Sequence, residues 1–238
     1  MTPADDERPP VLAHQRYAAD RASFAGLGLA ERFRRIHDTN LWGAPTSVSG
    51  LGSEEDATAL LRAGLPGLLA RLGAASLLDA PCGDAGWIGR TDLGGVRYTG
   101  VDIVPALVED LRARAAAGAI GGEYRLADIT RDPLPRADAI LCRDGLVHLS
   151  FGNARRAVAN FRRSGATWLI ATTFPGWATN RDCEDGDWRP LNLERLPFAW
   201  GPPAALLNEG CTEGGGGWRD KSLGAWRLSD LPDDDGPH

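Results

Sequence analysis

The stretch Ala75-Ser-Leu-Leu-Asp-Ala-Pro-Cys-Gly-Asp-Ala-Gly-Trp87, followed by Val96-Arg-Tyr-Thr-Gly-Val-Asp102, decides how this chain of 238 residues is read. Ser76 to Ala80 is a short apolar run of the kind that forms a strand buried on both faces, which places it in an α/β protein. Gly83 and Gly86 let the backbone turn sharply against a ligand. The spacing predicts strand, glycine turn, helix, then a second strand ending on Asp102. An acid at the tip of that second strand, roughly 20 residues past the first, accepts hydrogen bonds from both ribose hydroxyls of a nucleotide, with the glycine turn beneath the rest of the ligand.

The turn itself separates two kinds of nucleotide ligand. Dinucleotide oxidoreductases use Gly-x-Gly-x-x-Gly so that helix amides meet a pyrophosphate. Here the run is Asp79-Ala-Pro-Cys-Gly-Asp-Ala-Gly86, and Asp84 would repel a pyrophosphate. A carboxylate on each side of the turn suits a ligand with a cationic amino-acid end, and S-adenosylmethionine carries an ammonium and a sulfonium.

At these residues the chain resembles the class I S-adenosylmethionine-dependent methyltransferases, in a bacterial small-molecule subgroup. The subgroup's signatures recur as Asn40-Leu-Trp-Gly43, Leu78-Asp-Ala-Pro-Cys-Gly-Asp84, Cys142-Arg-Asp-Gly-Leu-Val-His-Leu149 and Trp188-Arg-Pro-Leu-Asn-Leu193, and the resemblance covers most of the chain after Asn40. It implies a Rossmann-like, seven-stranded, mostly parallel sheet with an antiparallel last strand, S-adenosylmethionine as cofactor, and a small-molecule acceptor. It also implies that the segment carrying Trp42 and Ser49 closes over the methionine end of the cofactor. A linker with Trp42 as a packing anchor is the plainer alternative. The acid that ends the third strand, Asp128 with Ile129 beside it, matches one that binds the adenine amino group in the class; capping a turn is the other role open to it. The chain departs from the wider class pattern Asp/Glu-x-Gly-x-Gly-x-Gly, because Pro81 and Ala85 occupy the first and third glycine positions and only Gly83 is kept.

Composition bounds the partners. The net charge of −6 argues against a nucleic-acid substrate, and Arg clusters such as Arg32, Arg34 and Arg35 read as solvated helix faces in a chain that nearly lacks lysine. Cys82, Cys142, Cys183 and Cys211 have no C-x-x-C spacing, so neither disulfides nor a zinc site is expected. No apolar run approaches the ~20 residues of a membrane helix. These features place the protein in the cytoplasm, with no membrane partner. Oligomeric state stays open, a homodimer among the possibilities.

The chain divides into an acidic, disordered tail over 1–10, a helical cap and cofactor-covering loop over 11–53, a methyltransferase domain over 54–231 and a tail over 232–238. In the cap, Leu27, Leu29, Phe33 and Ile36 form one apolar stripe on a helix from Val11 to Asp38. Ser53, with Glu54, Glu55 and Asp56 after it, predicts the start of the next helix. Strands are expected near 96–102, 123–127, 137–143, 167–174, 205–211 and 221–228. The aperiodic segment 175–203 follows the fifth strand, where class I enzymes insert acceptor-binding structure. It holds Trp177, Trp188 and Trp200, which suit a sugar face or, by default, core packing. Its acids Asp182, Glu184, Asp185 and Asp187 read as a solvated turn rather than a Mg²⁺ cage, so no metal is expected.

Candidate chemistry collects at the fourth strand's carboxyl end. His148 has the intrinsic pKa of a general base, near 6.5, and Asp144 is a base, an acceptor clamp or a helix cap. A buried His148 bonded to backbone is equally open. The cofactor-binding set is Trp42, Ser49, Asp79, Pro81, Gly83, Asp102, Ile103, Asp128, Ile129 and Arg143. For Arg143, orienting an anionic acceptor group and pairing with Asp128 or Asp144 are the alternatives. The chain thus reads as an enzyme of natural-product biosynthesis that methylates a hydroxyl of a sugar or glycosylated molecule, with N-methylation of an amino or guanidino group second. A catalytically inactive cofactor-binding scaffold and a nicotinamide oxidoreductase are the rivals from other classes.

Overall fold

The protein was analysed as a computed structural model, which describes residues 8–232; residues 1–7 and 233–238, the greater part of both expected tails, lie outside it. Seven strands form one sheet in the order β3-β2-β1-β4-β5-β7-β6. They are β1 (Ser76–Asp79), β2 (Arg97–Asp102), β3 (Glu123–Leu126), β4 (Ala139–Cys142), β5 (Trp168–Thr173), β6 (Ala205–Asn208) and β7 (Ser222–Arg227). β1 to β5 pair in parallel, and β7 runs antiparallel between β5 and β6. The order reverses between β1 and β4, and the crevice beyond that reversal is where open α/β sheets bind ligands.

Period-two alternation sends successive strand residues to opposite faces. Leu78, Ile140 and Leu169 join one core with α5 (Phe151–Arg163) and the aromatic residues of 175–203. Leu77, Leu141 and Ile170 join the other, with α3 (Ala59–Leu72) and α4 (Pro105–Ala116). α1 (Leu12–Asp20) and α2 (Leu29–Asp38) sit over a third small core of Tyr17, Phe24 and Ile36.

Four expectations need correction. No α-helix follows the first turn: only a 3₁₀ turn at Ile88–Arg90 links β1 to β2. Gly83, Gly86, Gly89, Gly94 and Gly95 crowd that span, each costing a helix about 1 kcal/mol relative to Ala, while Trp87 and Ile88 fill the space as buried side chains. The cap is two helices, because the chain turns at Gly26 with φ +75°. Ser53 does not start α3, which begins at Ala59; Glu54 instead turns back to accept hydrogen bonds from the Thr46 and Ser47 amides. Arg8 to Pro10 are not tail. Arg8 is buried, its guanidinium 5.3 Å from the Trp177 ring and 5.1 Å from Trp218, and it pairs with Asp220 at 2.8 Å.

Candidate active site

The carboxyl ends of β1, β2 and β4 and the loop after β3 open into one cleft of about 1000 Å³, its solvent mouth included. Every residue singled out in the sequence as catalytic or cofactor-binding lines it: Trp42, Ser49, Asp79, Pro81, Gly83, Asp102, Ile103, Asp128, Ile129, Arg143, Asp144 and His148. His37, Phe33, Cys82, Trp87 and Leu107 line it as well and were not foreseen.

Asp79 ends β1 and is buried, with a single hydrogen bond, from the Tyr98 hydroxyl at 2.8 Å. Burial pushes its carboxyl up to about 7, against the pull of Tyr98 and Arg143. Asp102 ends β2. Its oxygens accept from the amides of Val104 (3.0 Å) and Gly83 (3.1 Å), and burial raises its pKa against those donors. Each carboxylate oxygen keeps a further lone pair, so ribose hydroxyls can add to these bonds. Ile103, Val104, Leu107 and Ile129 supply an apolar wall suited to a flat base. A buried acid lacking an ion pair, an acid at the second strand tip and an apolar slot together fit S-adenosylmethionine.

Asp128 spends Oδ1 on the Thr130 amide and hydroxyl, 2.9 and 2.6 Å, and its Oδ2 lies 3.2 Å from the Arg131 guanidinium. It therefore does cap a turn, whatever else it touches. Asp84 corrects the sequence argument. It does not face the cleft but clamps the covering loop, accepting from Ser47 Oγ (2.7 Å) and the Val48 amide (3.1 Å), while its own amide donates to Ser49 Oγ. Gly83 is required by this closure, since at φ +54° a Cβ would stand 2.3 Å from Ser49 Oγ.

Beyond the cofactor side lies a quartet of charges, three of them buried and the fourth, Asp144, half-buried. Arg143 donates to both carboxylate oxygens of Glu209, at 3.3 and 2.7 Å, and to the Gly52 carbonyl. Lys221, the only lysine in the sequence, bonds Asp144 at 2.6 Å and stands 3.4 Å from Glu209. Burial alone would raise Asp144, yet Lys221 and Arg143 hold it well below the usual carboxylate range. That makes it a poor base, and Arg143 an ion-paired residue rather than a free anion binder. Glu209 and Lys221 were not foreseen; a lone lysine in an arginine-rich chain was the available signal.

His148 donates from Nδ1 to the Asp187 carbonyl, 2.7 Å away, because a carbonyl can only accept. Nε2 is thereby left as an acceptor, and the ring stacks on Trp42 with centroids 4.3 Å apart. Burial pulls His148 down to about 4, so it is neutral at pH 7.

The segment 175–203 does not bring its three tryptophans to the cleft. Trp200 packs on Phe198 and Trp226, and Trp177 on Trp218; only Trp188 reaches a pocket wall. Its acids are structural partners: Asp182 and Asp185 accept from the amides of Phe151 and Ser150 at the head of α5, Glu184 from the Tyr17 hydroxyl, and Asp187 bonds His14. Among the described residues no group of three metal-ligating side chains is assembled, no helix is long and apolar enough to cross a membrane, and the four cysteines are free thiols.

Residues 77–165 match a family described as a methyltransferase domain. A search of curated proteins finds no match. Among solved structures, the chain is similar to 1,6-didemethyltoxoflavin-N1-methyltransferase of Burkholderia thailandensis over 94% of its own length and 96% of that chain, at 17% identity and a TM-score of 0.57. A Pyrococcus horikoshii protein (18% identity, 50% of this chain, TM-score 0.42) and a Clostridium acetobutylicum S-adenosylmethionine-dependent methyltransferase (11%, 51%, 0.43) also align. The alignment spans 58% and 52% of the lengths of those two chains. Identities this low speak to the fold alone. Residues 77–165, which carry the strand tips that build the cleft, are thus similar to a methyltransferase domain, and the chain shares its fold with the Burkholderia methyltransferase.

Proposed function

We propose that the chain transfers a methyl group to a nitrogen of a small-molecule acceptor, at the end of the cleft lined by Asp144 and His148. When bound, S-adenosylmethionine supplies an electrophilic methyl on its sulfonium. Asp79 meets a cationic part of the ligand, Asp102 holds the ribose, and Ile103 and Ile129 flank the adenine with Asp128 at its edge. Trp42 and Ser49, clamped through Asp84, exclude water from the methionine end.

The observation that carries the nitrogen reading is the state of the two candidate bases. A hydroxyl acceptor needs a group to take its proton as the bond forms, whereas a neutral nitrogen needs only orientation. Asp144 is tied to Lys221, and His148 at about 4 is a weak base at neutral pH. His148 Nε2 then serves as a hydrogen-bond acceptor that aims the nucleophile's lone pair. O-methylation stands as the second reading, favoured by that same Nε2; its sugar form loses Trp177 and Trp200, which pack elsewhere. The Burkholderia neighbour, an N1-methyltransferase with 1,6-didemethyltoxoflavin and S-adenosylhomocysteine bound, accords with a small acceptor. A cytoplasmic enzyme of natural-product biosynthesis, with no nucleic-acid or membrane partner, remains part of the proposal.

The test is calorimetry followed by product analysis. S-adenosylmethionine and S-adenosylhomocysteine are expected to bind and NADH not. With methyl-labelled cofactor and pooled small metabolites, an N-methyl product is expected by NMR. An O-methyl product selects the second reading, and cofactor binding without turnover on any acceptor selects the scaffold.

A further inference from the structure

A second pocket of about 440 Å³ opens off the cleft and shares Trp42, Ser49, Asp144 and His148 with it; Trp188, Lys221 and Glu213 close its far side under the first residues of α1. The charges there nearly cancel. Arg143 and Lys221 are matched by Glu209 and Asp144, each within 3.5 Å of an opposite charge. Glu213 is the acid left over. Among the described residues its carboxylate makes no hydrogen bond or ion pair, and burial raises it despite the pull of Lys221, whose ammonium is already engaged.

Glu213 is also held in place. The sequence reads 213–217 as a flexible connection, but Gly214, Gly215 and Gly216 take φ of +58°, +64° and +85°, values that favour glycine, and form a defined turn. A Cβ on Gly214 or Gly217 would stand 2.5 or 2.7 Å from Pro9, and the Trp218 indole donates to the Pro9 carbonyl at 3.0 Å. The glycine run thus lets the N-terminal segment lie against this loop, with Glu213 at the pocket wall. A largely buried carboxylate is an acceptor only, and one without a protein donor is costly unless something else donates to it.

Resting on the methyltransferase reading above, we propose that Glu213 binds the acceptor, taking a hydrogen bond from an N–H donor remote from the reacting atom. Acceptors are then small molecules bearing an amino, amidino or N–H heterocyclic group. A cationic donor is favoured, because the pocket holds one acid more than its cations neutralise.

Benzamidine is the probe, with benzyl alcohol as its neutral counterpart, each titrated by calorimetry and NMR into the full chain saturated with S-adenosylhomocysteine. Benzamidine is expected to bind, and to bind at least tenfold more weakly to Glu213→Gln, while benzyl alcohol binds both proteins equally and poorly. Unchanged S-adenosylhomocysteine affinity in the variant shows that its fold is intact. Equal benzamidine affinity in the two proteins, or none for the native chain, overturns the assignment. A native chain that fails to bind S-adenosylhomocysteine overturns the methyltransferase reading and this proposal together, a separate and recognisable result.

Discussion

Asp79 and Asp102, at the tips of β1 and β2, face the cleft with no cation among the described residues bonded to either, whereas Asp144, just past β4, is bonded to Lys221 at 2.6 Å and lies 3.5 Å from Arg143. The two regions are contiguous and share one cleft, yet they treat buried acids in opposite ways. Burying an unpaired carboxylate is costly, and a protein either supplies a counter-charge or lets the group take up a proton. The acceptor-side quartet follows the first course and is neutral as a set. On the cofactor side Asp79 follows the second, its carboxyl pushed up to about 7 by burial, and room is left for a positive charge that arrives with the ligand.

The largest expected effect breaks the balanced side. Glu209→Ala leaves Arg143 and Lys221 short of a buried counter-charge, and removing one partner of a buried pair costs about 3–5 kcal/mol. Urea denaturation should show a loss of that order. A loss below about 1 kcal/mol, the scale of an exposed ion pair, would mean that the quartet is solvated and the contrast false. Asp79→Asn, by comparison, removes no ion pair and a buried charge that ionises near neutral pH, so at pH 7 and above it should not lower stability.

Next in size are the cofactor-side variants. Asp102→Ala removes bonds to a charged group worth about 1.5–3 kcal/mol, so S-adenosylmethionine affinity should fall at least roughly tenfold by calorimetry. Asp79→Asn should lower it by a similar factor through lost charge. Unchanged affinity in either variant takes that acid out of the cofactor site.

Acidity sharpens the same contrast. Asp79 titrates near 7 in the ligand-free protein, so a cation that binds below that pH must displace a proton. Affinity for S-adenosylmethionine should therefore rise with pH to a plateau above 7, falling about tenfold per unit below it, and the slope should vanish in Asp79→Asn. Stability carries the opposite sign for the two acids. Asp79's folded pKa is raised above its unfolded value near 3.9, so its contribution is present below about pH 4 and is lost as pH rises through about 7. Asp144's is depressed, so its contribution is present above about pH 4 and is lost only in strong acid.

That Asp79, Gly83 and Asp102 line one cleft was legible in the sequence because they are local: they lie on one strand-turn-strand stretch, and strand tips point where the sheet dictates. Asp84 misled, since its side chain is used by Ser47 and Val48, some 35 residues earlier, and no local pattern announces that clamp. The helix after the turn failed for a legible reason, the crowd of glycines. The acceptor side was opaque because its parts come from four distant segments: Trp42, His148, Trp188 and the β6–β7 connection with Glu213 and Lys221 meet only once β7 has inserted between β5 and β6. The tryptophans of 175–203 drew attention by type alone, and type does not distinguish a pocket wall from a core.

The smallest expected effect decides the chemistry. His148 is held in one tautomer by the Asp187 carbonyl, stacked on Trp42, and kept neutral by burial. If the nucleophile is a nitrogen, the ring orients it and accepts one hydrogen bond, so His148→Ala should slow single-turnover methyl transfer by about tenfold, the scale of one neutral hydrogen bond. If the nucleophile is a hydroxyl, the ring must take its proton, and the loss should reach the 10²-fold or more of a missing general base, approximately. Cofactor affinity is the control, because losing the Trp42 stack could loosen the loop that carries Ser49. A tenfold loss with intact affinity supports the nitrogen reading, and a hundredfold loss with intact affinity replaces it with the hydroxyl.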